Sequence, residues 1–161
     1  MTWGLWPASQ AKAGDFYKGR VERVADGDTI QLLTSDYERV RVRLYGIDAP
    51  EKDQEGGDQS LLALKNLIDG QEVTVDVLDV DQYSRLVGLI YLGDLSVSLA
   101  MVEQGEAWVY DQYCKAKEVC QGFRAAQAKA RSSNIGLWAN PSAKPPWEHR
   151  GYKRNNPSKK K

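Results

Sequence analysis

Between Phe16 and Ile47 the chain steps between apolar and polar residues with a period of two, and no other feature constrains its fold as strongly. That period suits a strand with one buried face and one wet face. "FYKGRVERVADGDTIQLL" alternates on both sides of "ADGD", so two strands meet at a tight Asp-Gly turn. "RVRVRLYGI", from Arg39, carries the alternation into a third strand. A three-strand meander is expected.

Downstream the period changes. Leu61, Leu64 and Ile68 recur at helical spacing beside Leu62 and Leu67, and Asp69-Gly70 supplies a stop. "QEVTVDVLDV" and "RLVGLIYLGD" are β-rich runs on either side of "DQYS" and read as strands four and five. "VSLAMVEQG" and the segment from Lys117 to Arg131, with Val119, Phe123, Ala126 and Ala130 on one stripe, read as two further helices. This order predicts an α+β fold that is mainly β barrel. It is a five-stranded, partly open barrel of the oligonucleotide/oligosaccharide-binding (OB) type with about three helices.

With 161 residues the chain suits one domain. Residues 1–15 read as a leader. Its "AKAG" has the small-residue spacing of a signal-peptidase site, which leaves open the remnant of a signal peptide or an unstructured leader. Residues 16–147 form the domain, and 148–161, ending in "KRNNPSKKK", read as a basic, disordered tail. Lys plus Arg balance Asp plus Glu at 22 each, so any polyanionic partner must be met by a local patch. No long apolar run provides a spanning helix, and no membrane is expected. His149 is the single histidine, which excludes a His-rich metal site and leaves any Ser/His/Asp triad dependent on one residue. Cys114 and Cys120 are close enough for one disulfide in an oxidising compartment, or are two free thiols.

Acids gather at two strand ends. "DGDT" sets Asp26 and Asp28 at the junction of strands one and two, and "GIDAPE" sets Asp48 and Glu51 just past strand three. If both junctions share one barrel end, the carboxylates converge, and like charges that close call for a cation. Oxygen-only donors suit Ca²⁺ or Mg²⁺. Each segment alone also reads as an ordinary turn. Arg43 on the third strand and Arg85 at the start of the fifth add groups able to fork onto phosphate oxygens.

Taken together, "VADGDTIQL", "RLYGIDAPE", "DQYSRLVGLIYL", "VEQGEAWVY" and "GLW" resemble the staphylococcal-nuclease-like, or thermonuclease, family in order and spacing from about Tyr17 to Trp138, and "PPWE" extends the likeness. The resemblance implies an OB barrel that cleaves DNA and RNA phosphodiesters with Ca²⁺ and leaves 3′-phosphates. By the same resemblance Asp28 and Asp48 are side-chain metal ligands, with the backbone carbonyl of Ala49 a third. Glu51 orients or deprotonates the attacking water. Arg43 and Arg85 bind phosphate, and Tyr83 hydrogen-bonds it. Pro50 keeps Ala49 extended, which helps to fix Asp48 relative to Glu51. Asp26 is expected to hold the cation only through water. Gln82 stands where the family's best-known member has a lysine, which weakens one phosphate contact. Tyr113 and Tyr110 either stack on nucleotides or pack against the helix that follows.

A monomer with DNA and RNA as substrates and no obligate protein partner is expected, in an extracytoplasmic location, secreted or periplasmic, with a cytoplasmic one left open. Two rivals stay open: a non-cleaving nucleic-acid-binding module, and a Ca²⁺-stabilised structural domain. The second leaves Arg43, Arg85 and Tyr83 without a task.

Overall fold

A computed structural model of the protein describes residues 11–157. Most of the expected leader, residues 1–10, and the last four residues of the basic tail lie outside the described residues. In chain order the elements are β1 (Phe16–Asp26), β2 (Thr29–Thr34), β3 (Arg39–Leu44), β4 (Ile47–Asp48), α1 (Gly57–Ile68), β5 (Glu72–Val80), β6 (Leu86–Leu92) and β7 (Leu95–Ser96). They continue as α2 (Val97–Glu103), β8 (Trp108–Val109), α3 (Lys117–Ser132), a 3-10 turn (Gly136–Ala139) and α4 (Pro146–Asn155).

The alternation does form the meander, and the five long strands run in the order β3-β2-β1-β5-β6. Parallel pairing of β3 with β6 then joins the two edges, with Val42 opposite Leu86, Arg43 opposite Val87 and Leu44 opposite Gly88. The result is a closed, mixed five-stranded barrel rather than a partly open one. Closure removes the exposed edges that an open sheet would leave. β1 serves both sides of the barrel. Its first residues, Phe16 to Arg20, pair with β5, while Gly19 to Asp26 pair with β2 through two register shifts that bend the strand. Gly19 sits at the crossing because a Cβ there would lie 2.2 Å from the Leu33 carbonyl oxygen.

Val21, Ile30, Leu32, Val42, Leu44, Val75, Leu86 and Ile90 face inward and are buried. Leu64 and Ile68 turn from α1 into the same core, while Leu62 points to solvent, as the helical period requires. α3 buries Phe123 and Ala130 of the expected stripe and Cys120 beside it, while Val119 and Ala126 are half-buried. Among the described residues no helix is long and apolar enough to cross a membrane.

Both ends of the domain differ from the reading by composition. Within the leader segment Ala11 is buried and the Gly14 N–H donates to the Val77 carbonyl at 2.8 Å. At the other end, Pro146–Asn155 forms a fourth helix, so residues 148–155 are not part of an unfolded tail. Pro146 occupies the first turn, where its missing N–H costs nothing. The helix owes its place to specific partners rather than to an apolar stripe. Trp147 stacks on Tyr110 with ring centroids 5.0 Å apart and planes within 6°, and His149 and Lys153 both pair with Asp53. Basic composition hid these contacts.

Candidate active site

Asp28 lies in the β1–β2 turn and is 6% exposed. Gly27 makes that burial feasible, since a side chain there would run into Ser60 of α1 and into Ala49. The Asp28 carboxylate accepts the Thr29 hydroxyl at 3.0 Å and the Ala49 N–H at 2.8 Å. The second bond ties the turn to the segment after β4, so the two acid-bearing junctions do meet at one barrel end. Asp48 is 1% exposed and stands on β4, whose partner is β8. Asp48 is therefore directly opposite Trp108.

Arg43 joins the two acids. Its Nη1 lies 3.1 Å from Asp28 Oδ2 and its Nη2 donates to Asp48 Oδ1 at 3.2 Å. Although Nη1 is within ion-pair distance, it is buried and makes no hydrogen bond among the described residues. One guanidinium thus bridges two buried carboxylates.

Charge in this pocket is crowded. Burial pushes the Asp26 carboxyl up to about 7, and the adjacent Asp28 charge adds to the shift. Burial also acts to raise Asp28, but Arg43 and the bonds from Asp26, Ala49 and Thr29 outweigh it and hold Asp28 below the ordinary carboxylate range. Asp48 is raised, chiefly by burial, despite its guanidinium partners. The Asp26 carboxylate accepts the Asp28 N–H at 3.1 Å, which gives it a role in shaping the turn.

Do these groups suit a cation? Among the described residues no three His, Cys, Asp or Glu side chains form a ready metal cluster. The donor chemistry nevertheless fits Ca²⁺, which completes its sphere with carbonyls and water. Asp28 and Asp48 supply carboxylate oxygens of the kind a hard cation takes, and in this structure Arg43 and Arg150 occupy them.

The remaining expected residues are distributed around this centre. Glu51 is a third exposed and points at Arg150 of α4, 2.7 Å from it. Arg85 donates from Nε to Asp81 Oδ2 at 2.7 Å, so its described partner is Asp81 rather than Asp28 or Asp48. Tyr83 is 60% exposed beneath the Arg85 guanidinium, and its carbonyl accepts Arg41 Nη2 at 2.5 Å. Tyr110 and Tyr113 meet edge to face at 4.7 Å. Tyr113 is open to solvent, whereas one face of Tyr110 carries Trp147. Cys114 and Cys120 form a disulfide.

Two residues of this region escaped the sequence reading. Asp81 accepts the Tyr83 and Arg85 amides and shapes their loop, and its signal was the Asp that opens the "DQYS" turn. Arg150 reaches Asp48 and Glu51 from about a hundred residues away, and "PPW" before it was a helix start. A cavity of about 600 Å³ holds none of the clustered acids or arginines; Gln54, Gln59, Glu106, Leu137, Lys144 and His149 are among its walls.

Residues 41–140 match the model of the family described as staphylococcal nuclease homologue. The chain is 42% identical over 130 residues to an uncharacterised endonuclease of Escherichia coli, an alignment that covers 80% of this chain and 82% of that protein. It is 35% identical over 148 residues to a micrococcal nuclease of Shigella flexneri, covering 86% and 83% of the two chains. An uncharacterised endonuclease of Haemophilus influenzae is 39% identical over 121 residues, covering 75% and 66%.

Proposed function

Since the chain belongs to the staphylococcal nuclease homologue family, we propose that it is a Ca²⁺-dependent endonuclease with little sequence preference. It hydrolyses phosphodiester bonds of DNA and RNA, prefers single-stranded or unstacked regions, and leaves 3′-phosphates. The observation that carries this reading is the meeting of Asp28 and Asp48 at one barrel end with the Arg43 guanidinium bridging them. Two carboxylates and a guanidinium placed side by side are the groups that a hard cation and a phosphate oxygen need together.

In this reading Asp28, Asp48 and the Ala49 carbonyl hold the cation. When bound, Ca²⁺ supplies Lewis-acid withdrawal of charge from the scissile phosphate. Glu51 orients a water for in-line attack and takes its proton. As the bond from phosphorus to the 5′-oxygen breaks, Arg43 and Arg85 stabilise the charge on the equatorial oxygens. For that, Arg85 must turn from Asp81, its partner in the free protein. Tyr83 hydrogen-bonds a phosphate oxygen, and Tyr110 and Tyr113 offer faces to bases that are already unstacked. The Cys114–Cys120 disulfide supports an oxidising, extracytoplasmic compartment. No protein partner is required, since one chain carries every group named.

The test is incubation of native DNA, denatured DNA and RNA with Ca²⁺ or with a chelator, followed by analysis of fragment ends. Fragments should need Ca²⁺, form fastest from denatured DNA and carry 3′-phosphates. Asp28→Asn should abolish them and weaken Ca²⁺ binding in calorimetry. Cleavage that persists in chelator rejects the metal dependence, and tight binding without fragments makes the protein a binding module.

A further inference from the structure

Helix α4 delivers a guanidinium to the acids that the nuclease reading assigns to metal and water. Arg150 Nη2 donates to Asp48 Oδ2 at 2.6 Å, while Nη1 is shared between Asp48 Oδ1 at 3.1 Å and Glu51 Oε1 at 2.7 Å. Asp48 also receives Arg43, so both of its oxygens are engaged by arginine. The Arg150 side chain nevertheless remains 40% exposed, which leaves it accessible to a ligand from the solvent side.

Its backbone is held firmly. Trp147, one turn earlier, lies flat on Tyr110, and His149 and Lys153 clasp Asp53. Arg150 can therefore exchange partners by side-chain rotation without α4 leaving the barrel. A divalent cation on Asp48 and a guanidinium on the same oxygens would be like charges a few ångströms apart, and the two exclude each other. Once displaced, a tethered arginine needs a new anion within reach. In this cleft the anion that arrives is the phosphodiester, whose oxygens match the guanidinium fork.

We propose that Arg150 is a third phosphate-binding arginine of this site. It neutralises Asp48 and Glu51 in the free protein, yields the Asp48 oxygens to the divalent cation and Glu51 to the water, and then takes oxygens of the substrate phosphate. The proposal rests on the nuclease reading given above. It makes α4 part of the active site rather than an appendage to the barrel.

The experiment compares wild type with Arg150→Gln and Arg150→Lys by two readouts, Ca²⁺ binding by calorimetry without nucleic acid, and kcat/KM on a short single-stranded DNA. Without its competitor, the Gln variant should bind Ca²⁺ about tenfold more tightly or better. Its kcat/KM should fall by about tenfold or more, because a phosphate partner is gone. The Lys variant keeps the charge without the fork and should lie between wild type and Gln in both measurements; it carries the test if the Gln variant does not fold. Unchanged Ca²⁺ affinity overturns the proposal, as does tighter Ca²⁺ binding with unaltered kcat/KM, which would leave Arg150 a plug. Wild-type protein that neither binds Ca²⁺ nor cleaves removes the nuclease reading itself, and the Arg150 proposal with it, before any variant is compared.

Discussion

Asp81 holds Arg85 from both ends: its Oδ1 accepts the Arg85 backbone N–H at 3.0 Å and its Oδ2 accepts the side-chain Nε at 2.7 Å. The same Oδ1 takes the Tyr83 N–H at 2.9 Å, so one carboxylate shapes the loop and orients the arginine it carries. Replacing Arg85 by Lys keeps the ion pair with Asp81 but loses the fork. The cleavage rate should fall by at least about a hundredfold, with melting temperature and Ca²⁺ affinity little changed. Near-normal turnover would remove Arg85 from the site. Asp81→Ala should lower the rate too and, by stranding two amides, cost about 1–2 kcal/mol in denaturant unfolding.

A second expectation concerns Gly46, which has φ +76° and would carry a Cβ 2.8 Å from the Cys114 sulfur and 3.0 Å from Phe123. Gly46→Ala strains the backbone and pushes on the disulfide together, and should destabilise the protein by about 1–3 kcal/mol. Reducing the Cys114–Cys120 bond in the wild type should cost about 2 kcal/mol, since the loop it closes is short. Mass spectrometry of protein recovered from its native compartment should show the oxidised form. Free thiols there would argue against an extracytoplasmic location.

For the aromatic row, Trp147 packs on Tyr110 and also meets Trp108 edge to face at 5.8 Å. Trp147→Ala should destabilise the fold by about 1–3 kcal/mol and loosen α4. Hydrogen exchange in residues 146–155 should rise with little change in the barrel strands. Equal loss of protection across the barrel would mean that α4 and the barrel unfold as one unit.

Glu106 supplies a pH test away from the acid cluster. Burial raises its carboxyl above the ordinary value of 4.5, in a cavity whose other charged or titratable walls are Glu55, Lys144 and His149. The folded state holds this proton more tightly than the unfolded one. Its contribution is thus full below the unfolded pKa and is lost as pH rises through the folded one. Wild-type stability should lose that increment as pH climbs from about 4.5 toward neutrality. Glu106→Gln should remove this part of the slope and stabilise the protein at pH 7. A Gln variant less stable than wild type at pH 7 would show that the Glu106 charge is compensated.

The strands and the first three helices were legible because burial of a strand or helix face imposes a local period, and Val21, Leu32, Leu64 and Phe123 each obey it. The same holds for the acids at strand ends, since "DGD" and "GIDAPE" are turn chemistry as well as candidate ligands. What meets what across the chain carries no such period. The parallel β3–β6 pairing sets Arg43 beside Val87, the β4–β8 ladder sets Asp48 opposite Trp108, and α4 carries Arg150 back to Asp48 across 102 residues. Composition even pointed the wrong way at α4, because a helix held by one stacked tryptophan and several ion pairs has the polar, basic sequence of an unfolded tail. Local alternation therefore determined the elements and the sites of the acids. Only closure of the barrel decided which charges face one another, because ion pairs and ring stacks depend on distance in space and leave no repeat along the chain.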